Sequence, residues 1–367
     1  MSAIGTQPAD TGASGVRRAF QATTKVPYFW GLVGVVLLVV INVVKDPTYL
    51  SISYSDATGG FVGNIPDILR ATAPILMISI GMCLVIATGG IDLSVGSAMV
   101  VAGAVAMEFL SGQSAPSSVG TVLVAIVLSI LIAGLLGVAN GFLISVTGLQ
   151  PFIATLVMML AGRGIAKVIT SGQNTAATSE PFKLIATGYV FGLPVIVVIA
   201  VVIAVLIAVL VRKSALGLMI ESVGIDAEAS RLAGVNRRAI LFTVYIVSAV
   251  LGGVAGLMVT SSVMTVDVSR TGYQSELDAI LAVVIGGTSL AGGKFSLWGA
   301  AVGALLIATL DKTVVFLGIP SSATPAFKAI VIVVLVLLQS RRVRGYFQRR
   351  KHAKAPENPS TRQAVAA

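Results

Sequence analysis

Few side chains in this sequence of 367 residues could do chemistry in an apolar setting. Asp92 sits in ATGGIDLSVGS, Ala87 to Ser97, between two of the most hydrophobic segments. A carboxylate at mid-bilayer costs about 2.5 kcal/mol or more, so it must face a cavity, a partner or the interface. It is either a functional acid on a path or a loop residue beside Ser94, which stands two positions on and could N-cap the next helix. Arg163 is a second costly charge, with Lys167 one turn later on the same face. The Lys167 stem can snorkel to the outer interface. Arg163 lies too deep for that, and its multi-donor fork suits a hydroxyl-rich solute. Asn140, Tyr245 and Ser248 are weaker candidates, because hydroxyls and amides in membrane helices more often bond across helices. Asp92, Ser94, Asn140, Arg163, Tyr245 and Ser248 together make up the candidate substrate pathway.

This is chemistry of binding and passage, not of bond making. Cys83 is the only cysteine and lies inside an apolar run, so no disulfide framework or thiolate metal site can form within one chain. The only histidine, His352, is in the C-terminal tail, which removes His-based triads and His-rich metal sites. GGTSLAGGKFS, Gly286 to Ser296, imitates a phosphate loop but has Thr288 where the motif needs glycine and Phe295 where it needs Ser or Thr. The chain is therefore expected to bind no cofactor, and any ATP, with its magnesium, must be hydrolysed on another subunit.

Arg212 to Arg238, RKSALGLMIESVGIDAEASRLAGVNRR, is the longest soluble-like stretch between apolar segments. Asp226 and Glu228 stand where carboxylates favour a helix start, Leu232 and Ala233 supply a small apolar face, and Gly234 is a natural stop. The stretch is either an ordinary charged loop or a short rigid helix able to transmit force from a cytoplasmic partner.

These residues must be positioned by membrane helices. The chain is 56% hydrophobic and 11% charged, with a mean hydropathy of +0.97. Apolar segments fall near 28–44, 66–88, 93–110, 119–146, 151–170, 192–211, 239–262, 277–291, 297–317 and 325–340, so the expected fold is an all-α polytopic membrane protein of about ten helices. Gly89-Gly90 and Gly286-Gly287 leave it open whether those boundaries are turns or re-entrant breaks. With both termini cytoplasmic, 17 of the 25 Lys and Arg residues fall on the inside, as the positive-inside rule requires. The connections 45–65, 171–191 and 263–276 then lie outside, open to an external partner. The predicted organisation is a cytoplasmic N-terminal segment (1–26), a permease domain (27–340) with a loop at 212–238, and a basic tail (341–367) too polar to fold alone. The net charge of +10 sits mostly in the tails and one loop, so the partner it implies is the lipid bilayer and not nucleic acid. Small-residue pairs at Gly137 and Gly141, Gly252 and Gly256, and Gly299 and Gly303 permit close helix packing or dimerisation.

At GGIDLSVGS, QPFIATLVMMLAGRGIAKVITSGQ (Gln150 to Gln173), EASRLAGVNRR and ELDAILAVVIGGTSLAGGKFSLWGA (Glu276 to Ala300), the chain resembles the ribose-type sugar permeases of ABC transporters, over about Tyr28 to Gln339. Within that family the AGRG, TSGQ and ELDAILAVVIGG wording is most similar to the galactofuranose permeases of enteric bacteria. The resemblance implies a cobalamin-importer-like (type II) fold in the bacterial inner membrane and a monosaccharide substrate, galactofuranose-like or another pentose or hexose. The implied partners are ABC ATPase subunits, an external sugar-binding protein, and a second permease subunit, identical or paralogous. The family's coupling helix maps onto Glu228 to Gly234, with Glu228, Ala229, Arg231, Leu232 and Gly234 facing the ATPase. The alternative, an ion-coupled secondary sugar transporter, would need its own ion site, and no carboxylate pair or His relay is legible at a midplane position. On the ten-span count Asp92 is expected near the cytoplasmic end of the second and third spans, as part of an inner gate.

Overall fold

The computed structural model describes residues 28–339; the N-terminal segment (1–26), the tail (341–367) and His352 lie outside the described residues. Each of the ten apolar segments holds a helix, but the helices are not equivalent. Six are long and apolar enough to cross a membrane: α2 (Asn64–Ala87), α4 (Val119–Ser145), α5 (Pro151–Ile169), α7 (Val195–Lys213), α10 (Arg237–Val263) and α12 (Leu297–Leu317). The others are shorter: α1 (Phe29–Lys45), α3 (Val95–Ser111), α11 (Ser275–Ile285) and α13 (Thr324–Gln339). Three small helices complete the set, α6 (Glu180–Thr187), α8 (Leu216–Ile225) and α9 (Ala227–Leu232). The chain is thus mostly helical and polytopic.

α10 is the central post, packed against α2, α3 and α4. Small residues make this possible. At Gly256 a methyl group would come within 2.2 Å of the Met99 carbonyl oxygen on α3, so the two backbones touch directly. The other small-residue pairs are used in the same way, Gly137 and Gly141 against α10 and Gly299 and Gly303 against α11, so all three close contacts are made within this chain.

Both Gly-Gly stretches end helices by one mechanism. Gly89 (φ +81°) and Gly287 (φ +89°) take the left-handed conformation. The N–H groups of Gly90 and Thr288 then reach back to the carbonyls of Val85 and Val283, 3.2 Å away in each case.

The connections gather at two opposite ends. At one end the hairpin β1 (Ser53–Ser55) and β2 (Gly60–Val62) meets the hairpin β4 (Tyr189–Val190) and β5 (Leu193–Pro194) through a bridge between Gly60 and Gly192. β3 (Thr175–Ala176) pairs with β6 (Thr265–Val266) at this end as well. The other end holds α8, α9, the end of α2 and the turn around Gly293, whose N–H donates to the Ala87 carbonyl at 2.9 Å.

Candidate translocation site and coupling helix

After Gly89 the chain does not leave the protein but turns back into it. Thr155 on α5 holds the rising segment through a hydroxyl bond of 3.1 Å to the Ile91 carbonyl. Asp92 ends fully buried beside Ser248, eleven residues into α10, which at 1.5 Å per residue is roughly 16 Å from that helix's start. The expected position at the end of the second and third spans is therefore corrected: Asp92 lies inside the bundle, because the chain turns back into the protein after Gly89 before α3 begins.

The carboxylate is well satisfied there. The Ser94 backbone N–H (2.9 Å) and hydroxyl (2.6 Å) donate to one oxygen, and the Ser248 hydroxyl donates to the other at 2.7 Å. Asn140 Nδ2 donates to Ser94 Oγ at 2.7 Å, which joins α4 to the network. Ser94 occupies the N-cap position of α3, but its hydroxyl serves Asp92 and does not cap the helix. Tyr245 is fully buried next to this cluster, with its hydroxyl 2.4 Å from where a Gly90 methyl would stand. Five of the six sequence-selected residues, Asp92, Ser94, Asn140, Tyr245 and Ser248, are thus one neighbourhood. Asn140 Oδ1 and Tyr245 Oη make no hydrogen bond to any described residue.

Arg163 lies apart from them, half-buried on α5. It donates to the Gly272 carbonyl at 2.9 Å, and its guanidinium stands 6.0 Å from the centre of the Tyr273 ring. Gly272 belongs to a segment expected in an outside loop. That expectation is corrected in part, since 267–274 dips from the β6 end down to Gly96, where the start of α11 meets the start of α3. A methyl at Gly96 would fall 2.4 Å from the Gly272 carbonyl and 2.5 Å from Glu276 Oε2. Two helix N-termini, each the positive end of a dipole, are therefore set against one another, with Asp92 beside one and Glu276 in the first turn of the other. Glu276 is buried, its Oε2 bonds to no described residue, and the Arg163 charge acts on it. Sequence reasoning passed over Glu276, although the cost of a carboxylate at the head of an apolar run, the argument used for Asp92, would have flagged it. Lys167 is exposed on the same helix as Arg163.

The structure brings together two carboxylates that the sequence does not show as neighbours. Lys328 on α13 bonds Asp278 on α11 (3.1 Å to each oxygen) and Asp311 on α12 (2.8 Å). One lysine bridges both carboxylates, so the cluster ties α11, α12 and α13 together. It escaped notice because the three residues are separated by up to 50 positions.

At the α8 end, the charged stretch is a capped helix and not a loop. Asp226 accepts the N–H groups of Glu228 and Ala229, both at 2.9 Å, and Gly234 (φ +85°) lets Val235 N–H return to the Ser230 carbonyl at 2.9 Å. Ser230 is buried, whereas Glu228, Ala229, Arg231 and Gly234 are exposed and Leu232 is 75% exposed. Arg231 and Glu228 form an ion pair at 2.5 Å. The bond from Arg231 holds the Glu228 carboxyl below its ordinary range, and the guanidinium is raised in return.

The family model described as branched-chain amino acid transport system, permease component, matches residues 64–339. The fructose import permease protein FruF of Bifidobacterium longum is 48% identical over 330 residues, covering 89% of this chain and 91% of the relative. The galactofuranose transporter permease protein YtfT of Escherichia coli is 39% identical over 328 residues, 89% of this chain and 92% of the relative. The ribose import permease protein RbsC of Haemophilus influenzae is 36% identical over 309 residues, 83% and 90% of the two chains. The chain belongs to the ribose-type sugar permease family of ABC transporters. No solved structure matches it. As a permease of this family it is a multi-pass membrane protein and a transport component, not an enzyme. The region matched by the family model begins at α2, so it contains the Asp92 network, Arg163, Glu276 and the capped helix but not α1.

Proposed function

We propose that the chain forms the translocation pathway of an ATP-driven importer for a monosaccharide, delivered by an external binding protein and powered by a separate ATPase subunit that carries ATP and magnesium. The observation that carries this is identity to sugar import permeases across about nine-tenths of the chain, the fructose permease at 48% and the galactofuranose permease at 39%. Ketohexose and furanose sugars are the substrates to test first. The complex would hold two permease subunits, a second copy of this chain or a paralogue, in a cobalamin-importer-like fold in the bacterial inner membrane with the termini and the α8 end cytoplasmic.

On this reading, Arg163, Glu276 and Tyr273 form the solute-facing part of the pathway. Tyr273 is 64% exposed although it lies beside the buried Gly272 at the level of Gly96, and Arg163 is fixed through Gly272 with donors to spare. Arginine, carboxylate and aromatic ring are the groups that sugars use, for hydroxyl donors, hydroxyl acceptors and the apolar ring face. The Asp92 network serves a different role. Its carboxylate is fully engaged, so it locks α3, α4 and α10 and gates the inner half of the path instead of touching sugar. Glu228, Ala229, Arg231, Leu232 and Gly234 dock on the ATPase.

The test is uptake of labelled fructose, galactofuranose and ribose into proteoliposomes holding the permease, an ATPase subunit and a sugar-binding protein. ATP-dependent accumulation of at least one is expected. Uptake that ran on an ion gradient without the ATPase would overturn the proposal.

A further inference from the structure

α7 and α12 both pack on α2 and make at most glancing contact with each other, leaving a groove of about 360 Å³ on the flank of the protein. Its walls are apolar: Ile80 on α2, Val201, Ala204 and Ala208 on α7, and Leu297 and Ala301 on α12. One end is different, for Arg212 and Lys213, the last two residues of α7, line it, and Trp298 in the first turn of α12 lines the groove as well. Both cations are exposed, and neither makes an ion pair or side-chain hydrogen bond with any described residue.

We propose that this groove binds one anionic phospholipid, with an acyl chain along α2 between α7 and α12 and the headgroup phosphate on Arg212 and Lys213. This rests on the membrane character of the chain and not on the identity of its sugar. Length supports it: Val201 to Arg212 spans eleven residues of helix, roughly 16 Å, and half of a bilayer's hydrocarbon core is about 15 Å. The groove thus runs from headgroup level to the midplane of one leaflet. Charge supports it as well. Two cations at the end of an otherwise apolar cleft meet no anion among the described residues, arginine's planar fork fits a phosphate in bidentate fashion, and a tryptophan ring lining the same groove is at home among headgroups. A small-residue face on α7, Ala204 and Ala208, keeps the cleft open.

The test uses the full chain, purified and delipidated, then exposed to phosphatidylglycerol or to phosphatidylcholine of the same acyl composition, with bound lipid counted by native mass spectrometry. Wild type is expected to retain one phosphatidylglycerol per chain in preference to phosphatidylcholine. The exposed double variant Arg212→Ala/Lys213→Ala should weaken phosphatidylglycerol retention about thirtyfold, the effect of two surface cations. Ala208→Leu, which fills the cleft, should lose the lipid while the protein keeps its oligomeric state. Undiminished phosphatidylglycerol binding by the double variant, or equal retention of both lipids by wild type, overturns the proposal. So does a change of oligomeric state in Ala208→Leu, which would make a second copy of the chain the occupant. Should Ala208→Leu fail to fold, the double variant, altered only at exposed side chains, decides the matter alone.

Discussion

Asp92 has three donors and no countercharge, so its value lies in accepting hydrogen bonds from two different elements at once. Asp92→Asn keeps the shape but replaces one accepting oxygen with a donor, so the Ser248 hydroxyl must turn to accept and its proton loses the carboxylate as partner in a dry setting. The expected loss is about 1–3 kcal/mol, read as a lower midpoint of thermal unfolding in detergent, with raised basal ATP hydrolysis in the complex. Arg163→Ala should reduce sugar uptake at least about tenfold, the scale of one lost charge-assisted bond, whereas exposed Lys167→Ala should stay within about twofold of wild type. Equal effects of the two would remove Arg163 from the pathway. Both the cost of Asp92 and the depth of Arg163 could be read from residue type and flanking hydropathy. Their partners could not. Ser248 is 156 positions from Asp92 and Gly272 is 109 from Arg163, and nothing local in the sequence encodes such pairings.

For single elements the legible features were the ones whose chemistry is local. Gly89, Gly234 and Gly287 end helices by adopting a conformation that glycine favours, and Asp226 caps the helix that follows it by accepting an N–H two residues on. The dips at 88–94 and 267–274 were not legible as such, because a re-entrant segment and a plain turn share the same glycine-rich composition and differ only in what surrounds them. The capped helix gives two predictions. Gly234→Val forces a β-branched residue into positive φ, at about 1–3 kcal/mol of local strain, and should uncouple ATP hydrolysis from uptake while insertion and ATPase co-purification persist. Normal uptake would show that α9 transmits nothing. The Glu228 carboxyl is lowered by its bond to Arg231, so whatever the pair contributes is present above the ordinary carboxylate range and is lost only as pH falls through the lowered value. Coupling should therefore be flat from about pH 6 to about pH 8, and Glu228→Lys should impair it across that whole window.

Over the whole molecule, the connections assigned to opposite sides by charge counting do gather at opposite ends, with the β-hairpins at one and α8, α9 and Gly293 at the other. Positive-inside counting works on loop composition and needs no knowledge of packing, so it can sort connections into two groups while partner residues stay hidden. Sidedness can be measured directly, since Cys83 is the chain's sole cysteine and is fully buried. Single cysteines introduced as Thr58→Cys and Ala233→Cys should react with a membrane-impermeant maleimide from opposite faces of oriented vesicles. Labelling of both from one face would contradict the two-ended arrangement.

The meeting of α3 with α11 has a consequence for how the protein is made. Gly96 leaves the ribosome 176 residues ahead of Gly272, and Asp92 leaves 156 residues ahead of Ser248. At about 5–20 residues per second, Asp92 waits roughly 8–31 s in the nascent chain before its second partner exists. During that interval Ser94 is at hand and Asn140 follows, 46 positions after it, so α4 is the first element able to hold the start of α3 in place. Asn140→Leu should therefore harm biogenesis more than the finished fold: pulse-labelled chains would be degraded during synthesis, while the molecules that complete α10 and α11 would persist with nearly normal lifetimes.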